Sequence, residues 1–199
     1  ADNPDGNLNH RQVEFAQTIH SAGTDLLQLI NDILDLSKVE AGKMDVTPER
    51  VPLRQLLEYV EATFRPMTSQ KSLEFTVSTA PGAPADLLTD DSRLRQVLRN
   101  LLSNAVKFTS SGEVTLVIRN STEEHFNTPA LTVADGVLAF EVTDTGIGIP
   151  PEQLRTIFEA FQQADGTISR KFGGTGLGLS ISRGIARLIG GEIHVESEP

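Results

Sequence analysis

Leu138-Ala139-Phe140-Glu141-Val142-Thr143-Asp144-Thr145-Gly146-Ile147-Gly148-Ile149 is the stretch on which the fold turns. Leu138, Phe140 and Val142 alternate with Ala139, Glu141 and Thr143, the period of a strand with one buried face. Continuing the alternation puts Asp144 on the buried side, at the strand's last position. A carboxylate there is costly to desolvate unless donors reach it. Gly146 and Gly148 follow at once, and without side chains they let a ligand or another backbone come close. Taken alone, the stretch fits two readings: a strand-to-turn junction whose Asp144 bonds local amides, or a carboxylate held out for a ligand.

Around this stretch the chain has 199 residues, enough for one ordinary domain plus an appendage. With 38% hydrophobic residues it can bury a core. Lys and Arg number 17 against 27 Asp and Glu, a net charge of −10. That argues against nucleic-acid partners and against direct membrane contact, while a local basic patch can still hold phosphates. There is no cysteine, which excludes disulfides and thiolate metal sites. No apolar run approaches the ~20 residues of a spanning helix. The expectation is a soluble, cytoplasmic chain, cut from something longer.

Residues 1–10 are polar. From Arg11 to about Ala41 the pattern is helical, with Phe15, Ile19, Ala22, Leu26, Leu29, Ile33 and Leu36 on a heptad seam. Leu27, Ile30 and Leu34 widen it, which suits a helix in a bundle and predicts helical partners. Gly42-Lys43 reads as its stop. After Pro48 the spacing predicts a helix over 53–68, a strand over 73–77, a helix capped by Asp90 or Asp91 and running to Phe108, and a strand over 114–118. A polar connection over 120–136 leads into the strand that ends at Asp144. Pro150-Pro151-Glu152 predicts a short helix, 162–175 a mobile Gly-rich loop, 177–189 a helix and 192–196 a strand. The sum is a mixed sheet with helices on one side.

Two further constellations carry chemistry. On the helix over 91–108, Arg93, Gln96, Asn100, Asn104 and Lys107 share an arc of roughly 80°. Carboxamides one turn apart with a lysine beyond suit a phosphate-bound Mg²⁺, which takes oxygen ligands and keeps waters; a solvated polar face is the plainer reading. Gly173-Gly174-Thr175-Gly176-Leu177-Gly178-Leu179-Ser180 opens a helix, where backbone amides and the helix dipole favour an anion. It is neither a Walker A loop nor a Rossmann turn, because no Gly-Lys-Ser/Thr follows and no core strand precedes it.

In this order and spacing the motifs resemble a family. Asn100–Thr109 resembles the N box of sensor histidine kinases, Asp144–Ile149 the G1 box, Phe158–Phe161 the F box and Gly173–Ser180 the G2 box. The likeness covers residues 50–196, and Ile30–Lys43 resembles the second helix of the kinase dimerisation domain, most closely that of hybrid kinases. It implies an α+β fold: a two-layer α/β sandwich of the Bergerat type, with a mixed sheet, helices on one face and a long bundle-forming helix in front. The implied division is a partial dimerisation region over 1–47 and a catalytic ATP-binding domain over 48–199.

The resemblance also implies roles. Asp144 accepts from the adenine amino group beside Gly146, Gly148 and Ile149. Asn104, with Asn100, holds Mg²⁺ on the phosphates, and Lys107 contacts phosphate. Phe158 and Phe161 anchor a lid, and Arg170 or Lys171 reaches the γ-phosphate. Gly174, Thr175, Gly176, Leu177 and Gly178 wrap the phosphate chain. Asn100, Lys107, Arg170 and Lys171 are the residues implied to act on the transferring phosphoryl group. ATP and ADP, a homodimeric bundle and a response-regulator receiver are the implied partners. The acceptor histidine of the family is followed by an acidic residue and then Arg and Pro, and none of His10, His20, His125 or His194 has that context. The acceptor helix is therefore expected outside this chain. A Bergerat ATPase that couples hydrolysis to conformational change is the alternative, but Asn100 stands where such an enzyme carries its acidic base. A non-catalytic nucleotide-binding module is the third, and no box is visibly degraded.

Overall fold

The computed structural model describes residues 6–123, 125–162 and 175–199. It opens with α1 (His10–Glu40), entered through a reciprocal cap in which Asn9 and Gln12 each take the other's backbone amide. The helix stops where Lys43 N turns back to Lys38 O at 2.9 Å. Then follow β1 (Glu49–Pro52), α2 (Leu53–Gln70), β2 (Glu74–Thr79), β3 (Asp86–Thr89) and α3 (Asp91–Phe108). After them come β4 (Glu113–Asn120), the single turn α4 (Pro129–Thr132), β5 (Leu138–Asp144) and α5 (Gly178–Leu188).

The main sheet runs in the order β2-β4-β5, with β2 parallel to β4 and β5 antiparallel to it. It is mixed, as expected. Val114, Leu116 and Ile118 alternate along β4 on one face and are fully buried. Against them α2 sets Leu56, Val60 and Phe64, and α3 sets Leu94, Leu98, Leu102, Ala105 and Val106. Both helices lie on the same side of the sheet, which gives the two layers their single core. A smaller cluster joins Met44, Val97, Leu177, Ile181 and Ile185, with Leu29, Leu36 and Val39 of α1 packed on it.

Four expectations change. Residues 49–52 and 86–89 form a two-stranded antiparallel sheet that the sequence left unassigned, because four residues are too few to show a period. The stretch after Pro150 is a run of turns instead of a helix. Its amides close mostly on carbonyls three residues back, as Gln153 does on Pro150 and Glu159 on Thr156. Residues 192–196 alternate like a strand but form none. Glu192 spends its carboxylate on the amides of Asn127 and Thr128, and Ser197 Oγ accepts from Ile149 N at 2.8 Å. The seam of α1 is split, with Leu29 and Leu36 packed on the domain while Phe15, Ile19, Leu26 and Ile33 stay exposed.

Asp90 ties the small sheet to α3. Its Oδ1 caps the helix by accepting from Arg93 N, and its Oδ2 accepts from Thr47 N, both at 2.9 Å. Burial alone would raise its pKa. The amides of Thr47, Arg93 and Ser92 and the Arg93 charge outweigh that and hold the carboxyl below the usual aspartate range. A folded-state pKa below the unfolded one contributes stability that is complete above the unfolded value of about 3.9 and disappears as pH falls through the folded value. Asp90→Ala is expected to cost about 1 kcal/mol at neutral pH, as helix caps do. Urea titrations at pH 7 and pH 2.5 should show that difference shrink with acid. A deficit that is constant across this range would rule out the charged cap.

Candidate nucleotide-binding site

The carboxyl end of β5, the polar face of α3 and the start of α5 open on one cleft of about 2520 Å³. Asn100, Asn104, Lys107, Asp144, Gly146, Gly148, Ile149, Phe158, Phe161, Thr175, Gly176 and Gly178 all line it. The residues come from stretches up to 78 positions apart and are brought together by the sheet order and by the packing of α5 on α3. Leu177 does not join them, being fully buried in the smaller apolar cluster. Arg170, Lys171 and Gly174, with all but the ends of the loop 162–175, lie outside the described residues.

Asp144 departs from its expected burial. It is exposed at the cleft mouth, at the strand's last position, where no helix covers that face. Its Oδ1 accepts from Gly146 N at 2.8 Å and from Thr109 Oγ1 at 3.2 Å, and neither donor reaches Oδ2. Both readings of the sequence therefore hold at once: one oxygen anchors the turn and the other faces outward. A Cβ on Gly146 would stand 2.8 Å from Phe108 O, a backbone atom that cannot swing aside. The turn can pass beneath the end of α3 only with glycine here.

Thr109 closes the N box, where sequence reasoning assigns it no role of its own. It is fully buried, and its hydroxyl links the end of α3 to Asp144. Lys71 supports it from below, with Nζ 2.6 Å from Val106 O, 3.1 Å from Lys107 O and 3.3 Å from Thr109 O, capping the helix carbonyls. No local signal marks that lysine, since its partners lie 35 or more residues away.

Along α3, Asn100 Nδ2 donates to Ser182 Oγ at 2.7 Å. Lys107 is half-buried, and desolvation lowers its pKa. An ammonium held at such a cost gains more from an incoming anion than an exposed one would. Phe158 is buried with the Arg183 guanidinium over its ring at 5.2 Å. Phe161 differs from the expected anchor. Its ring is 64% exposed, its backbone sits at φ +64°, and what holds it is the bond from its amide to Gly176 O at 3.1 Å. Thr175 Oγ1 donates to Asp32 of α1 at 3.1 Å, and Gln96 Nε2 donates to Asp35 at 2.6 Å, so α1 touches two walls of the cleft.

The family model described as "Histidine kinase-, DNA gyrase B-, and HSP90-like ATPase" matches residues 89–199, more than half of the chain. The chain belongs to this ATPase family. Within it the relatives are sensor kinases. The sensor protein GacS of Pseudomonas syringae is 41% identical over 194 residues, covering 96% of this chain and 20% of the relative. Hybrid signal transduction histidine kinase K of Dictyostelium discoideum is 40% identical over 195 residues, covering 97% of this chain and 16% of the relative. Among solved structures, full-length ShkA in complex with AMPPNP superposes with a TM-score of 0.71 at 32% identity, covering 90% of this chain and 34% of that one. The ATPase fold is thus present in the form found in sensor histidine kinases, as their ATP-binding catalytic part, and the chain spans about a fifth of the length of these curated relatives. Among the described residues no helix is long and apolar enough to cross a membrane.

Proposed function

We propose that the cleft binds ATP with Mg²⁺ and presents the γ-phosphate to a histidine on a dimerisation helix outside this chain, for relay to the aspartate of a response-regulator receiver. The convergence of the N, G1, F and G2 boxes on one cleft carries this reading. Asp144 Oδ2 is free to accept from the adenine amino group, which ties the base to the end of β5. Lys107 and the amides at the start of α5 face the phosphates, and a helix N-terminus favours that charge.

The donor set fits magnesium. Among the described residues no group of three or more His, Cys, Asp or Glu could hold a metal. Asn104 and Asn100 would hold the ion through their carboxamide oxygens, neutral oxygen donors of the kind magnesium accepts beside phosphate and water. When bound it would neutralise charge on the phosphates. The protein's share of the transfer is positioning, since a histidine nitrogen needs no strong base to attack.

The proposed division is a helical region over 1–47 and a catalytic domain over 48–199, working in the cytoplasm. The exposed apolar face of α1, with Phe15, Ile19, Leu26, Ile30 and Ile33, supports a homodimeric bundle in the longer protein. The test is γ-labelled ATP given to this chain and to a longer chain that carries the acceptor helix. The expected result is nucleotide binding by both, and acid-labile phosphate only on a histidine of the added helix. ADP release from the longer chain without phosphohistidine would overturn the kinase reading in favour of a hydrolytic ATPase. Label on the exposed His20 would overturn the role given to α1.

A further inference from the structure

We infer that Ser182, on α5, is a positioning residue that orients the Asn100 carboxamide toward the divalent cation, an inference that rests on the nucleotide reading above. Ser182 is 1% exposed. A serine inside a helix ordinarily turns its hydroxyl to solvent or back to the carbonyl four residues earlier. Here Oγ faces across to α3 and lies 2.7 Å from Asn100 Nδ2, a partner 82 residues away in sequence.

Gly178 stands four residues before Ser182, so both lie on one face of α5. A Cβ built on Gly178 would collide first with Asn100 Oδ1, and would fall 2.8 Å from Nδ2 and 2.9 Å from Cγ. The amide plane is therefore set by two features of α5: Ser182 takes the nitrogen, and the missing side chain at Gly178 leaves room for the oxygen. Any side chain at 178 would push the amide off this position. Gly178 thus serves the N box as well as the phosphate loop, and the two boxes are mechanically one site.

The chemical consequence concerns which end of the amide meets the ligand. A carboxamide that can flip offers either an oxygen or an NH₂ group to the cleft, and only the oxygen binds magnesium. With Nδ2 committed to Ser182, Oδ1 is the atom left over, and it stays uncovered because residue 178 carries no side chain. Outer-shell partners that fix a ligand in this way are worth roughly 10–100-fold in metal affinity.

Calorimetric titration of the full chain with AMPPNP, in magnesium and in EDTA, tests this. Ser182→Ala is expected to leave affinity in EDTA unchanged and to cut the gain that magnesium brings by roughly tenfold. Ser182→Thr, which keeps the hydroxyl, should recover most of the gain. Asn100→Ala combined with Ser182→Ala should be no worse than Asn100→Ala alone, because Ser182 acts through Asn100. If Ser182→Ala keeps the full magnesium gain, or if its loss adds to that of Asn100→Ala, the positioning role is overturned. Should Ser182→Ala weaken binding equally in magnesium and EDTA, the residue is only structural and the inference is again overturned. A wild-type chain that binds no AMPPNP in either buffer would instead remove the nucleotide reading itself.

Discussion

Asp144→Asn is expected to weaken ATP binding by about 1.5–3 kcal/mol, the range for a hydrogen bond to a charged group, or roughly ten- to a hundredfold in Kd. The loss is specific because the two oxygens of Asp144 have different partners. In the variant Oδ1 can still accept from Gly146 N and Thr109 Oγ1, so the turn keeps its anchor. The second position then becomes an NH₂ group facing the amino group of adenine, donor against donor. Stability should change little while affinity falls. Calorimetry that finds the wild-type Kd in Asp144→Asn would remove this residue as the adenine reader.

The largest effect on stability is expected at Phe64. It is 1% exposed, and its ring lies 6.4 Å from that of Phe75, tilted by 55°. It joins α2 to the sheet at the centre of the core. Phe64→Ala removes most of that contact and leaves a cavity that neighbours on three elements cannot close, for a cost of about 3–5 kcal/mol. Urea denaturation would read this as a lower midpoint with an unchanged slope. Saturating nucleotide should restore part of the loss by mass action, since it binds only the folded chain. A loss below about 1 kcal/mol would mean that α2 is not a layer of this core.

What was legible in the sequence was what a single element can encode. The arc of Asn100, Asn104 and Lys107 follows from helix geometry alone, and all three line the cleft. The strand ending at Asp144 follows from period two. The main sheet could be read as mixed because its strands are long enough to alternate. The pairing of residues 49–52 with 86–89 was not legible, since Pro52 and four-residue strands leave no period. Residues 192–196 show the reverse error, with a clean alternation that other hydrogen bonds override. Asp144 was read as buried because periodicity gives a face of the strand but not what covers that face. The partners that hold the site residues, Thr109 for Asp144 and Ser182 for Asn100, lie 35 and 82 residues away. No local pattern carries such pairs.

The first helix has a mechanical consequence. At 1.5 Å per residue, the 31 residues of α1 make a rod of about 46 Å. The stripe Leu29, Asp32, Asp35, Leu36 and Val39 is partly shielded where the helix meets the domain, and it covers about 15 Å of that length. The remaining overhang, from His10 to Gln28, is about 27 Å long. Such a rod is a lever with its short arm on the catalytic domain. The short arm ends on Thr175 through Asp32 and on Gln96 through Asp35. A tilt of the helix would therefore bear on two walls of the cleft at once, each through a single side-chain hydrogen bond.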